Sequence, residues 1–187
     1  SWPLPTLPVL YIGYHIPATD PDGMETPALG ALAPALFGET SPLYKALVID
    51  EQKVVTLQAD AEVKRDAGLF TILARVRSPK DVAEVKKRIE ETLADAAKTP
   101  LDEKRLKAIK SNLRYGFAGS LENPDAVAVT VCYNIAVSGR PDAMNALYAG
   151  YDKLTPADLQ RVASKYFAPT NRTIVTLKSK PAGPAAK

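Results

Sequence analysis

The sequence predicts an α+β fold, a two-layer sandwich with helices on one face of a mostly antiparallel sheet. Three features lead there: a β-branched and aromatic first strand, a pair of alternating runs joined by a short turn, and a series of proline-started amphipathic helices without strict β-α-β alternation. With 187 residues and 46% hydrophobic content, the chain is long enough to bury one core.

The first eight residues, "SWPLPTLP", hold three prolines and read as an extended linker entering the domain. "VLYIGYHI" follows as a continuous apolar run, the pattern of a strand covered on both faces or paired at an interface. Val55, Leu57, Ala59, Ala61 and Val63 alternate with polar neighbours, and after "RDAG" so do Phe70, Ile72, Ala74 and Val76, so the two runs form a β-hairpin. "RTIVTL" supplies a late strand. The folded unit is expected over residues 9–178, with a disordered tail over 179–187.

Helix starts are expected wherever a capping side chain precedes proline: Thr26-Pro27, Ser41-Pro42, Ser78-Pro79, Thr99-Pro100, Asn123-Pro124 and Thr155-Pro156. Val82, Val85, Ile89, Leu93 and Ala96 make one apolar stripe, and Leu106, Ile109, Leu113 and Phe117 make another. "AVAVTVCYNIAV" carries β-branched residues that favour a strand but follows a helix cap, and it is assigned to a buried helix.

The chemistry-bearing residues are sparse. The net charge of +3 comes from 24 basic and 21 acidic residues without a basic run, so nucleic acid is a poor partner. No apolar run approaches the ~20 residues that cross a bilayer. Cys132, the one cysteine, sits in an apolar run and reads as a buried, inert thiol. His15 is the one histidine, so neither a zinc site with several histidine or cysteine ligands nor a serine-histidine pair is supported. Phosphate-binding glycine motifs are absent, and paired carboxylates such as Glu90/Glu91 lie on solvated helix faces. On its residues alone, the chain holds or binds something and does not itself react.

Three segments resemble one family. "PVLYIGYHIPA" followed by "PALGALAPALFGETSPLYKALV", then "TPLDEKRLKAIKSNL", and finally "YDKLTPADLQRVASKYFAPTNRTIVTL" are similar in order to the C-terminal half of pitrilysin/insulinase-type zinc peptidases, the group that includes mitochondrial processing peptidase. The resemblance implies a half-domain of the LuxS and processing-peptidase type of metallohydrolase fold. It also implies a partner, either an N-terminal catalytic half or a homologous subunit, that carries the inverted zinc motif H-x-x-E-H. No metal site or catalytic residue is expected in this chain, and zinc is expected in the missing half. The two halves would close over a peptide substrate, and a homodimer of the isolated domain is a further assembly to test. By the same resemblance a periplasmic location is plausible.

In "SPLYKALVIDEQKVV" the family's S-R-L-Y arginine corresponds to Pro42, and its substrate-positioning arginine and tyrosine correspond to Val48 and Val55. Leu43, Tyr44, Val48 and Val55 are therefore the substrate-chamber candidates, with apolar residues where the charged grip would sit. The competing reading is a degenerate peptide-binding or structural subunit of a peptidase-like complex. An unrelated α+β binding module would show no apolar mating surface.

Overall fold

The computed structural model describes residues 6–121 and 123–179. The linker reading over residues 1–5 and the tail reading over 180–187 fall outside that range. Thr6 and Ser179 are tied to each other: the Thr6 amide donates to Ser179 Oγ at 2.8 Å, and that hydroxyl donates to the Thr6 carbonyl at 3.0 Å.

Four antiparallel strands form one open sheet in the order β2-β3-β1-β4, with β1 at Val9–Ile16, β2 at Val54–Ala61, β3 at Gly68–Val76 and β4 at Arg172–Leu177. β1 is central because its run of apolar residues needs a partner on each side, and it pairs Ile12 with Ile72 of β3 and with Ile174 of β4. Period-two alternation sends Leu10, Ile12, Tyr14, Phe70, Ile72 and Ala74 into one buried face. The opposite face carries Tyr11, His15 and Val175, all exposed, so β1 is covered on one face and not on both.

The helices pack on the buried face. α1 (Glu25–Phe37) is apolar around nearly its whole circumference and is enclosed by β2, α4 (Glu103–Ser120), α6 (Ala143–Lys153) and α7 (Pro156–Tyr166). α3 (Val82–Lys98) buries Val82, Val85, Ile89 and Leu93 and runs beside α7. Phe167 links helix layer to sheet, with ring centroids 5.3 Å from Tyr14 and 4.8 Å from Phe70.

The proline-started helices divide in two. Ser41, Asn123 and Thr155 cap their helices as expected, and Thr155 forms a reciprocal capping box with Asp158. Thr26 does not cap: α1 starts one residue earlier, and Thr26 Oγ1 accepts from the Asp20 amide at 3.0 Å. Thr99 closes α3 in an extended conformation, and Asp102 takes the cap of α4. Ser78 leads into a single 3-10 turn before α3 and makes no side-chain cap.

α5 (Pro124–Ser138) is a helix, but it is not buried. Val129 is 69% exposed and Tyr133 51%, with Val127, Val131 and Ile135 exposed as well, and Asn134 is the buried residue of α5. Cys132 shares this exposure, contrary to the expected buried thiol. The cause is position: α5 leans on α6 and touches the sheet layer only near the hairpin end, through Tyr133, so most of its apolar surface has no cover among the described residues.

Candidate peptide groove at the edge of β2

β2 is an edge strand, so half of its backbone polar groups have no neighbouring strand. Which half follows from the ladder. The Glu62 amide donates to the Leu69 carbonyl at 3.2 Å, and Asp60, Gln58 and Thr56 stand opposite Thr71, Leu73 and Arg75. Alternate residues of an antiparallel strand present both backbone groups to the same side, so Leu57, Ala59 and Ala61 turn theirs away from β3.

A trough runs along this edge under α1. Its upper part, about 370 Å³, lies between Ala59 to Val63 of the hairpin, Gly30 and Pro34 of α1, and Tyr151 of α6. Its lower part, about 460 Å³, continues past Pro34 to Glu39, Tyr44 and Val55. Ala33, Pro34 and Ala59 line both parts, which makes them one channel. Small side chains line it where the two parts meet, at Ala33 and Ala59.

The structure separates the four sequence candidates. The buried Ser41 hydroxyl accepts the Tyr44 amide at 3.1 Å and fixes the start of α2 (Pro42–Tyr44), which continues as a π-helical turn over Lys45–Asp50. Tyr44 lines the trough from this turn, and Leu43 and Leu47 point into the core. Val48 is half-buried against that core and does not line the trough. Val55 does line it, for a reason the alternation hides: the β2–β3 register shifts between Val54 and Thr56. That bulge buries Val54 and leaves Val55 42% exposed, reversing the expected inward assignment.

Polar groups that sequence reasoning did not single out complete the trough. Tyr151 extends its hydroxyl beside Gly30, where a Cβ would lie 2.2 Å from that oxygen. The hydroxyl has no hydrogen-bond partner among the described residues, and burial, helped by Tyr148 and Asp60, pushes its pKa up to about 12. Glu62 is neutralised by Lys64 at 2.9 Å and accepts the Leu69 amide at 3.0 Å. Asp60 and Glu39 have no ion-pair partner among the described residues, and no lysine or arginine lines the channel. At the upper end the Tyr133 hydroxyl donates to the Val63 carbonyl at 2.6 Å.

A metal does not fit these residues: among the described residues no group of three or more histidine, cysteine or carboxylate side chains could hold one. His15 lies on the exposed sheet face and Cys132 on the outside of α5.

Comparison with known families decides the relationship, because the family described as the peptidase M16 inactive domain matches residues 3–113. The chain belongs to this family. No curated protein sequence matches it. Among solved structures, a protease from Helicobacter pylori is 25% identical with a TM-score of 0.83, over 92% of this chain and 41% of that one. The inactive peptidase domain of a provisionally named zinc protease from Bordetella parapertussis is 21% identical with a TM-score of 0.80, over 100% of this chain and 99% of that one. A peptidase M16 inactive domain from Pseudomonas fluorescens is 16% identical with a TM-score of 0.74, over 96% and 44%. This M16 inactive domain therefore spans about two fifths of the Helicobacter protease, and its α+β half-domain architecture is that of the family.

Proposed function

We propose that this M16 inactive domain is the non-catalytic half of a zinc metallopeptidase, paired with an N-terminal half or partner subunit that carries H-x-x-E-H, and that the two enclose a peptide. In such an assembly zinc polarises the scissile carbonyl from the other half. This chain supplies a wall of the chamber, with Tyr44 and Val55 facing the peptide.

The observation that carries the reading is α5. A helix that turns the polar Asn134 inward yet leaves Val127, Val129, Val131 and Ile135 exposed is a mating surface without its mate. That surface argues against a self-contained binding module. Self-association through the same face is the competing assembly.

The test is to isolate the native product containing this chain and determine its mass, its sequence content and its zinc. The expected result is an assembly with an H-x-x-E-H half, stoichiometric zinc and peptide hydrolysis, while the 187-residue chain alone is inactive. An assembly without that motif would shift the reading to a degenerate structural subunit, which the apolar Val48 and Val55 also suit. Zinc-dependent turnover by the purified chain would overturn both.

A further inference from the structure

We propose that the pocket between the end of α1, α4 and α6 is a side-chain pocket that selects an aromatic residue of the enclosed peptide. This deepens the half-molecule reading, on which it rests, by naming a specificity determinant in the wall.

Continuity with the trough is the first observation. Pro34, Gly38 and Glu39 line both the lower trough and this pocket of about 500 Å³, so a side chain can leave the trough around the end of α1 and enter it. A cavity of this size takes a ring together with its flanking backbone.

The lining selects the class of side chain. Ile109, Leu113 and Phe117, one stripe of α4, form a wall, and the Phe117 and Tyr148 rings stack there at a centroid distance of 4.2 Å with their planes 25° apart. Tyr151 continues the series, 5.5 Å from Tyr148. An incoming ring therefore joins an aromatic cluster, where stacked and edge-on contacts add to simple burial. The rim is polar and exposed. Glu39 has no ion-pair partner and the Asn112 side chain no hydrogen bond among the described residues. Both can bond peptide amides, while the Glu39 carboxylate repels a free carboxylate, so a ring carried within a chain is favoured over a free aromatic acid.

Gly116 keeps the space clear. It lies inside α4, where glycine is the poorest ordinary helix former, yet a Cβ there would meet no atom within 4 Å. Packing among the described residues does not require a glycine at this position, and its effect is to leave the pocket unfilled.

The experiment titrates the isotope-labelled 187-residue chain with short glycine-serine peptides read by NMR. One carries a single central phenylalanine, a second replaces it by cyclohexylalanine, which keeps the bulk and removes the π-system, and a third by alanine. The phenylalanine peptide is expected to bind about tenfold or more tightly than the alanine peptide and about threefold to tenfold more tightly than the cyclohexylalanine peptide. Its binding should shift the resonances of Ile109, Leu113, Gly116 and Tyr148.

Gly116→Leu puts a side chain into open space and improves helix propensity, so it should leave the fold intact and weaken the phenylalanine peptide about tenfold. Tyr148→Leu keeps an apolar wall without the ring and should bring the phenylalanine and cyclohexylalanine peptides towards equal affinity. Should either variant fail to fold, the comparison of the three peptides on the unaltered chain decides alone. Equal affinities there, or shifts confined to other residues, would overturn the proposal. Shifts of the same residues that grow with protein concentration in the absence of peptide would assign the pocket to a second copy and overturn it as well. A native assembly lacking H-x-x-E-H would defeat the half-molecule reading and leave binding at this pocket standing. An active zinc assembly in which the phenylalanine peptide leaves Gly116 unshifted would defeat this inference alone.

Discussion

Gly30 and Tyr151 form a pair whose coupling can be worked out from geometry. Gly30 lies in the middle of α1, where alanine would normally add about 1 kcal/mol of stability through helix propensity. Here the new methyl would sit 2.2 Å from the Tyr151 hydroxyl oxygen, about 1.2 Å inside the 3.4 Å of ordinary contact. The ring must then swing out, disturbing its contact with Tyr148 at a centroid distance of 5.5 Å. Overpacking of this kind costs about 1–3 kcal/mol, so Gly30→Ala in the unaltered chain should be neutral to destabilising by about 2 kcal/mol. Tyr151→Phe removes the clashing oxygen and leaves the nearest ring carbon 3.3 Å away, a contact that small adjustments relieve. In that background Gly30→Ala should stabilise by nearly the full propensity gain of about 1 kcal/mol. Tyr151→Phe alone should be neutral or slightly stabilising, because the half-buried tyrosine it replaces makes no hydrogen bond through its hydroxyl among the described residues. Urea unfolding of the four proteins closes a double-mutant cycle with an expected coupling of about 1–3 kcal/mol. If Gly30→Ala has the same effect in both backgrounds, the close approach of Tyr151 to α1 is wrong, and with it the upper half of the trough.

Ser41→Ala should cost about 1–2 kcal/mol, because the Tyr44 amide loses its acceptor at a fully buried cap. Thermal unfolding should register this as a fall of about 2–8 °C in Tm, and an unchanged Tm would show that the cap does not hold the turn. Glu25 ties α1 to α7: burial pushes its pKa up, but hydrogen bonds from Lys165 and Tyr166 outweigh it and hold the carboxyl below its ordinary 4.5. The stability from this pair is present above pH 4.5 and is lost as pH falls through the lowered value, so Glu25→Gln should flatten acid unfolding below that point. Tyr151 has the opposite sign, its pKa being raised. Stability should fall between pH 10 and about 12 in the unaltered chain and fall less in Tyr151→Phe. Val129→Glu should change the stability of the isolated chain by less than about 0.5 kcal/mol yet prevent assembly with the catalytic half, as read by co-purification.

The sheet was legible because its signals are local. Alternation in β2 and β3 and the β-branched run of β1 each specify a strand without outside information. Capping was legible only where the hydroxyl had no better use. Thr26 binds the Asp20 amide, and Thr99 is drawn into the extended exit from α3, so an identical dipeptide had a different outcome in each place. The exposure of α5 could not be read from composition, since an apolar helix looks the same whether its cover is its own chain or another. Within the trough, Tyr44 lay in a recognisable motif, whereas Tyr151 and Asp60 meet from distant segments and carry no local pattern. Val55 was misplaced by one bulge, because period-two counting assumes an uninterrupted ladder.

That bulge has a consequence for solution behaviour. An open sheet edge is the usual starting point for uncontrolled growth, in which copies of a protein pair edge to edge without limit. In β2 the shift between Val54 and Thr56 breaks the ladder at one end, and Tyr133 already holds the carbonyl of Val63 at the other. What is left open is the stretch from Leu57 to Ala61, recessed beneath α1. The same two devices thus let the domain keep a free edge while resisting fibril formation.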